Sequence, residues 1–259
     1  MKLNSGMAGR RSLLVNDETV KLFLEHLPED ANVLQLGWAG ELLLQEVLSK
    51  PVNVTVVDSV LPDYAKSTLE TAENITHHIA DPVESLDKTL KREKPEWVLG
   101  VLSPLFSEFV LKRLAYWHFS GGLLLVCRRE HVDALLAGPY GRMYGWLSVM
   151  MRHHYNTERL MNIDKDDFSP PLTWQSAVLL KTHDRRPLCD LRALDVTLKY
   201  AFRKHHERVG LRFANQLSKT DWMELVIDPD SRPERLHYHQ WAALAQRLYP
   251  DEGLIPRGS

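Results

Sequence analysis

Between Asn32 and Val126 short apolar runs alternate with amphipathic stretches, and this rhythm constrains the possible folds more than any other feature of the chain. Strand-length runs are predicted over residues 32–36, 53–57, 96–102 and 122–126. Between them, residues 42–48, 63–71 and 106–114 carry apolar side chains three and four apart, the stripe that a helix turns toward a core. Such βα units feed a parallel sheet covered by helices, so the expected class is α/β with a doubly wound sheet.

The rhythm changes after Tyr155. Two extended segments, 158–163 and 175–182, flank the break Asp167-Phe168-Ser169-Pro170-Pro171 and could extend the sheet as a terminal hairpin. From Asp190 onward the pattern is helical in short pieces, at 191–202, 208–217, 220–226 and 238–248. A length of 259 residues suits one large α/β domain and a small appended one, here placed at 8–187 and 188–250. Residues 254–259 resemble a protease-site linker and, with the first six, are set aside. A hydrophobic content of 44% and a charged content of 25% are those of an ordinary globular protein.

Function classes narrow on the same grounds. Cys127 and Cys189 are too few for a disulfide framework, which suits a reducing intracellular compartment. No run approaches the roughly 18 apolar residues of a membrane helix, so no membrane partner is expected. The pairs His77-His78, His153-His154 and His205-His206 do not converge on one centre, and no metal site is expected. The net charge of −2 hides an asymmetry, because residues 181–219 hold ten Lys and Arg against four Asp and Glu.

The run Phe168-Ser169-Pro170-Pro171-Leu172-Thr173-Trp174-Gln175-Ser176-Ala177-Val178 resembles the Phe-x-Pro-Pro-Pro-x-Val-x-Ser-Ala-Val element of the KsgA and Erm group of rRNA adenine dimethyltransferases. Glu130 followed by Tyr144-Gly145-Trp146-Leu147-Ser148-Val149 is similar to that family's Gln-Lys-Glu helix and Tyr-Gly-x-Leu-Ser-Val segment. Ile227-Asp228-Pro229-Asp230-Ser231-Arg232-Pro233-Glu234-Arg235-Leu236 resembles the element that marks the branch of KsgA and mitochondrial transcription factor B. The resemblance implies a Rossmann-like class I methyltransferase domain with a seven-stranded, mostly parallel sheet, followed by a small all-helical RNA-binding domain. It also implies S-adenosylmethionine as cofactor and structured RNA, small-subunit rRNA above all, as partner. A ribosomal subunit or RNA polymerase is the further partner it suggests, with a monomer in the cytoplasm or mitochondrial matrix.

Carried onto this chain, the family's cofactor turn falls on Gly37 and Gly40 within Gly37-Trp38-Ala39-Gly40, with one glycine missing and Trp38 in the tightest place. Asp58 matches the acid that accepts the ribose hydroxyls, and Asp81 the one that contacts the adenine amine. The catalytic Asn-Leu-Pro-aromatic loop corresponds to Leu102-Ser103-Pro104-Leu105-Phe106 in one of two alignments. With Pro104 on the family proline, Leu102 replaces the Asn; with Phe106 on the family aromatic, Ser103 does. Leu102 counts with the cofactor residues, and Ser103, Pro104 and Phe106 with the catalytic ones. Arg11-Ser12-Leu13-Leu14 also departs from the family's Gln-Asn-Phe-Leu.

The candidates for an RNA face are Arg10, Arg11, Arg128, Arg129, Arg142, Arg203, Lys204, Arg208 and Arg212, with Trp117 and Trp146 as stacking partners for bases. Two readings stay open: an RNA-binding factor with methyl transfer weakened or lost, in ribosome assembly or promoter opening, and an active adenine N6 dimethyltransferase.

Overall fold

The computed structural model describes residues 12–60 and 72–250. They group into two compact units, one built from residues up to 132 together with 157–182, the other from 133–156 and residues from 183 onward. The first unit carries β1 (Leu13–Leu14), α1 (Asp17–Leu24), β2 (Asn32–Leu36), α2 (Glu41–Leu48), β3 (Asn53–Asp58), β4 (Ile75–Ile79) and α3 (Leu86–Glu93). It continues through β5 (Trp97–Val101), α4 (Ser107–Leu114), β6 (Gly122–Arg128) and the start of α5 (Arg129–Leu136), then most of β7 (Tyr155–Ile163), β8 (Phe168–Ser169) and β9 (Gln175–Thr182).

Seven strands form one sheet in the order β4-β3-β2-β5-β6-β9-β7. β2 pairs in parallel with both β3 and β5, β3 with β4, and β5 with β6, while β9 runs antiparallel to β6. The reason is legible in the side chains. Leu123 to Cys127 are all fully buried, and a strand covered on both faces needs a continuous apolar run rather than alternation. β4, Ile-Thr-His-His-Ile, escaped the sequence reading because it is an edge strand whose polar, partly exposed residues leave no apolar run. The expected helix at 63–71 lies outside the described residues.

The amino-terminal segment is pinned over this sheet. β1 pairs antiparallel with β8, Leu14 N–H donates to Ala39 O at 3.0 Å, and Val15 N–H donates to Asp167 O at 2.8 Å. Asn16 then caps α1 by accepting from Thr19 N–H, and Asp17 and Glu18 complement the positive helix end. At the other side, Ser107 begins α4 fully buried, with its hydroxyl 2.8 Å from His131 Nδ1 on α5. That bond ties the loop after β5 to the end of β6.

The second unit packs α6 (Trp146–Arg152), α7 (Leu191–Phe202) and α10 (Tyr238–Leu248), with α8 (Val209–Arg212) and α9 (Lys219–Glu224) between. Both α7 and α10 have the bounds predicted from their periodicity. Segment 133–156, read with the sheet domain from sequence, groups with these helices through specific bonds. Tyr144 Oη donates to Leu236 O at 2.8 Å, and Trp146 Nε1 donates to Asp195 Oδ1 at 2.8 Å. Trp241 is fully buried with its ring centroid 5.5 Å from that of Phe202. The helix expected over 208–217 shortens to four residues, where Gly210 lies against Pro229 too closely for a Cβ. Among the described residues no helix is long and apolar enough to cross a membrane.

Two measurements test these placements. Gly122 has a φ of +151°, and a Cβ there would run into the carbonyl oxygen of Leu180 on β9. Gly122→Ala should therefore lower unfolding stability by about 3 kcal/mol, and a urea midpoint within error of the parent would contradict the register. Burial, the largest influence, holds His131 below the ordinary imidazole value, with Glu130 and Glu108 pulling up and Arg128 and Lys112 pushing further down. The native state thus binds fewer protons than the unfolded chain, and stability falls as pH drops from 6.5 through the native value, with no contribution above that window. Urea midpoints compared on the two sides of the window should show a smaller acid loss in His131→Gln; an identical loss would dismiss the pair as a contributor.

Candidate functional site

Parallel pairing brings the carboxyl ends of β2, β3, β4, β5 and β6 to one edge of the sheet. The chain leaves β2 toward β3 on one side and returns to β5 on the other, and open α/β sheets bind ligands at such a reversal. Gly37, Gly40, Asp58, Asp81, Leu102, Ser103, Pro104, Phe106, Arg128 and Arg129 all stand along this edge. Arg142, Arg203, Lys204, Arg208 and Arg212 belong to the second unit, and Arg10 and Arg11 lie outside the described residues.

The turn after β2 requires its glycines. Gly37 has φ +83° and Gly40 φ +120°, and a Cβ on Gly40 would sit 3.1 Å from Leu14 O. Gly37 N–H donates to Val57 O at 2.8 Å, so the turn is stitched to the end of β3. Trp38 is only 5% exposed and its ring joins the hydrophobic cluster of the sheet. Its backbone N–H donates to Asp58 Oδ2 at 2.5 Å. Asp58 is fully buried, and its Oδ1 accepts from Val60 N–H at 3.1 Å and from the Ser59 hydroxyl at 3.4 Å. Both carboxylate oxygens therefore take part in closing the turn, which a buried charge needs.

Asp81 is exposed and follows β4. Its Oδ1 accepts from Val83 N–H at 2.8 Å and Glu84 N–H at 3.0 Å, the geometry of a turn-initiating side chain. After β5, Leu102 is buried and its N–H donates to Val126 O at 2.8 Å, continuing the sheet ladder. Ser103 is exposed, and its carbonyl accepts from Phe106 N–H and Ser107 N–H, so 103–106 form a tight turn into α4. Pro104 and Phe106 are half-buried and Leu105 is 76% exposed. The hydroxyl of Ser103 is thus the polar side chain that the loop offers to solvent.

The basic candidates differ in how free they are. Arg128 Nε lies 3.0 Å from Glu130, Lys204 Nζ 2.9 Å from Glu207, and Arg208 Nη1 2.7 Å from Asp230. Arg212 bridges Glu207 and stands 4.1 Å from the Tyr200 ring centroid. Arg142 and Arg203 are exposed. Trp117 and Trp146 are half-buried with their indole N–H groups donating to Asp87 and Asp195. The aromatic that does face solvent at the sheet edge is Trp174, 66% exposed, with the Arg129 guanidinium 5.4 Å from its ring centroid. Sequence reasoning passed over it, although a Trp where the resembling motif has Val was the signal. Among the described residues no group of three or more His, Cys, Asp or Glu is disposed to hold a metal ion.

No protein-family model matches the chain. The ribosomal RNA small subunit methyltransferase A of Janthinobacterium sp. (strain Marseille) is 32% identical over 122 residues, which are 47% of this chain and 48% of that protein. At that identity the match spans about half the relative's length. The protein of the same name from Marinomonas sp. (strain MWYL1) is 24% identical over 230 residues, covering 85% of this chain and 86% of the relative. Among solved structures, a dimethyladenosine transferase from Plasmodium falciparum superposes with a TM-score of 0.76 at 15% identity over 90% of this chain and 95% of its own. The 23S rRNA methyltransferase ErmE gives 0.67 at 18% identity, covering 91% and 99%. At such identities the structural likeness speaks for the fold. That fold, with one relative matched at 32% identity over about half its length and another at 24% over 86% of its own, supports the rRNA adenine dimethyltransferase family as the one this chain is similar to.

Proposed function

We propose that the protein is an RNA-binding member of this family, acting on small-subunit rRNA or its assembly, with methyl transfer weakened or lost. The observation that carries this reading is the buried Asp58, both of whose oxygens serve the turn that holds Trp38. Asp58 is fully buried and already accepts from three donors, so ribose hydroxyls of S-adenosylmethionine could reach it only if the turn opened and loosened its hold on the Trp38 or Val60 amide. A hydrogen bond to a charged group contributes about 1.5–3 kcal/mol, or about 10- to 150-fold in affinity, so the exchange forgoes most of its gain. As arranged, these residues fit the cofactor poorly.

A second reading, an active S-adenosylmethionine-dependent adenine N6 dimethyltransferase, draws support from Ser103. Its hydroxyl is exposed at the end of β5 beside Pro104 and Phe106, where an acceptor for the N6 hydrogens would stand. Serine offers one short hydroxyl in place of an amide carbonyl. Losing one such transition-state bond costs about a hundred- to a thousandfold in rate, so this reading too predicts a slow enzyme.

Titration calorimetry with S-adenosylmethionine separates the two. No saturable heat is expected at cofactor concentrations up to about 1 mM, and micromolar binding would reject the weakened site. For the RNA half of the reading, phosphate neutralisation should give affinity that falls with salt. Arg142→Ala and Arg203→Ala together should weaken binding to small-subunit rRNA fragments evenly across sequences and reduce the salt slope by about 1 for each phosphate no longer neutralised. An unchanged slope would remove both residues from the RNA face.

A further inference from the structure

Trp174 is an aromatic held in the open at a cost. Its φ of +63° places an L-residue with a bulky side chain in the left-handed region, where backbone and Cβ crowd each other. Most of its surface nevertheless faces solvent, so burial does not repay that strain. What fixes the residue is Arg129: its N–H donates to Trp174 O at 2.7 Å, and its guanidinium lies over the indole. Among the described residues no carboxylate pairs with Arg129, and its Nε has no hydrogen-bond partner. A strained, exposed ring backed by an unpaired guanidinium is a pre-organised surface, and strain of this kind gathers where a ligand is bound.

Its place in the fold narrows the ligand. Arg128 pairs with Gln175 in the register of β6 and β9, which sets Trp174 at the carboxyl edge of the sheet, just past the end of β6. Val101 at the end of β5 pairs with Val126 on β6, so the turn 103–106 is two strands away, about 10 Å at ordinary strand spacing. A flat aromatic face with a cation beside it, set along this edge, suits a nucleobase stacked on the ring with its phosphate near the guanidinium. We propose that Trp174 and Arg129 form a base-stacking platform for single-stranded RNA, taking a nucleotide that flanks whatever base reaches the turn after β5. This rests on the RNA-binding reading above.

The test compares the parent protein, Trp174→Gly and Trp174→Phe in binding a short single-stranded oligoribonucleotide and the same oligomer carrying abasic sites. The parent should prefer the intact oligomer, and Trp174→Gly should lose about tenfold in affinity for it while binding the abasic one as the parent does. Trp174→Phe, which keeps a ring, should retain most of the preference. Because glycine accepts the left-handed conformation, Trp174→Gly should melt no lower than the parent, so that affinity falls without stability. A lower melting temperature would make the ring a packing element and overturn the proposal. Equal affinity of parent and Trp174→Gly for the intact oligomer would overturn the platform while leaving the RNA reading standing. Failure of the parent to bind either oligomer or rRNA fragments would remove that reading and the platform with it.

Discussion

Everything that bears on chemistry in this chain hangs on β2 being bonded in parallel on both sides. A strand buried on both faces must satisfy every backbone group through its neighbours, and it can tolerate apolar side chains at successive positions only because helices cover the sheet. Parallel pairing then forces each strand to deliver its following turn to the same edge. Gly37, Asp58, Asp81, Ser103 and Arg129 stand at or just after the ends of five separate strands, spread over nearly a hundred residues, and share that edge only through the ladder. Without it the motif residues would be scattered polar groups with no common ligand.

The turn after β2 shows how one side chain can organise such an edge. A glycine-rich turn leaves room for a ligand to approach the backbone, and its amides are then free to point outward. Trp38 brings a large ring that belongs in the core, and the ring is buried there at 5% exposure. Burying it draws its amide toward Asp58, whose charge in turn would be intolerable inside the protein without donors. The acid, the amide and the aromatic thus stabilise one another. Both oxygens of the Asp58 carboxylate are engaged inward, by the turn itself.

How much of this could be read from the sequence depended on which physical signal each element leaves. The βα rhythm and helices such as 191–202 and 238–248 were legible because apolar periodicity is set by burial, and burial is what the structure repeats. Strand β4 was not, since an edge strand needs no apolar run and Ile-Thr-His-His-Ile has none. Asp58 and Asp81 stood out as carboxylates, but the donors on them are mostly backbone amides, which no side-chain pattern records. The aromatic candidates show the same division. Trp117 and Trp146 stood out by residue type, yet their indole N–H groups are tied down by Asp87 and Asp195. Trp174 is exposed and has a left-handed φ, which sequence alone gives no reason to expect of tryptophan.

Charge on a ribbon of sequence likewise differs from charge on a surface. The cluster of Lys and Arg in residues 181–219 reads as an electrostatic footprint, but folding sets Glu207 beside Lys204 and Arg212, and Asp230 beside Arg208. Exposed pairs of this kind contribute only about 0–1 kcal/mol, so a phosphate can displace Glu207 from Lys204 or Asp230 from Arg208 at small cost. The result is a lower potential but not an inert surface. Arg212 is different, because its side chain is only 10% exposed and also bonds Tyr200 O, which makes it part of the helical packing. With a net charge of −2 and several cations so engaged, the chain has a weaker long-range pull on any polyanion than its basic residues suggest. On the proposed reading, affinity for RNA would come more from short-range interactions that salt does not screen, and an aromatic face held open beside Arg129 is of that kind.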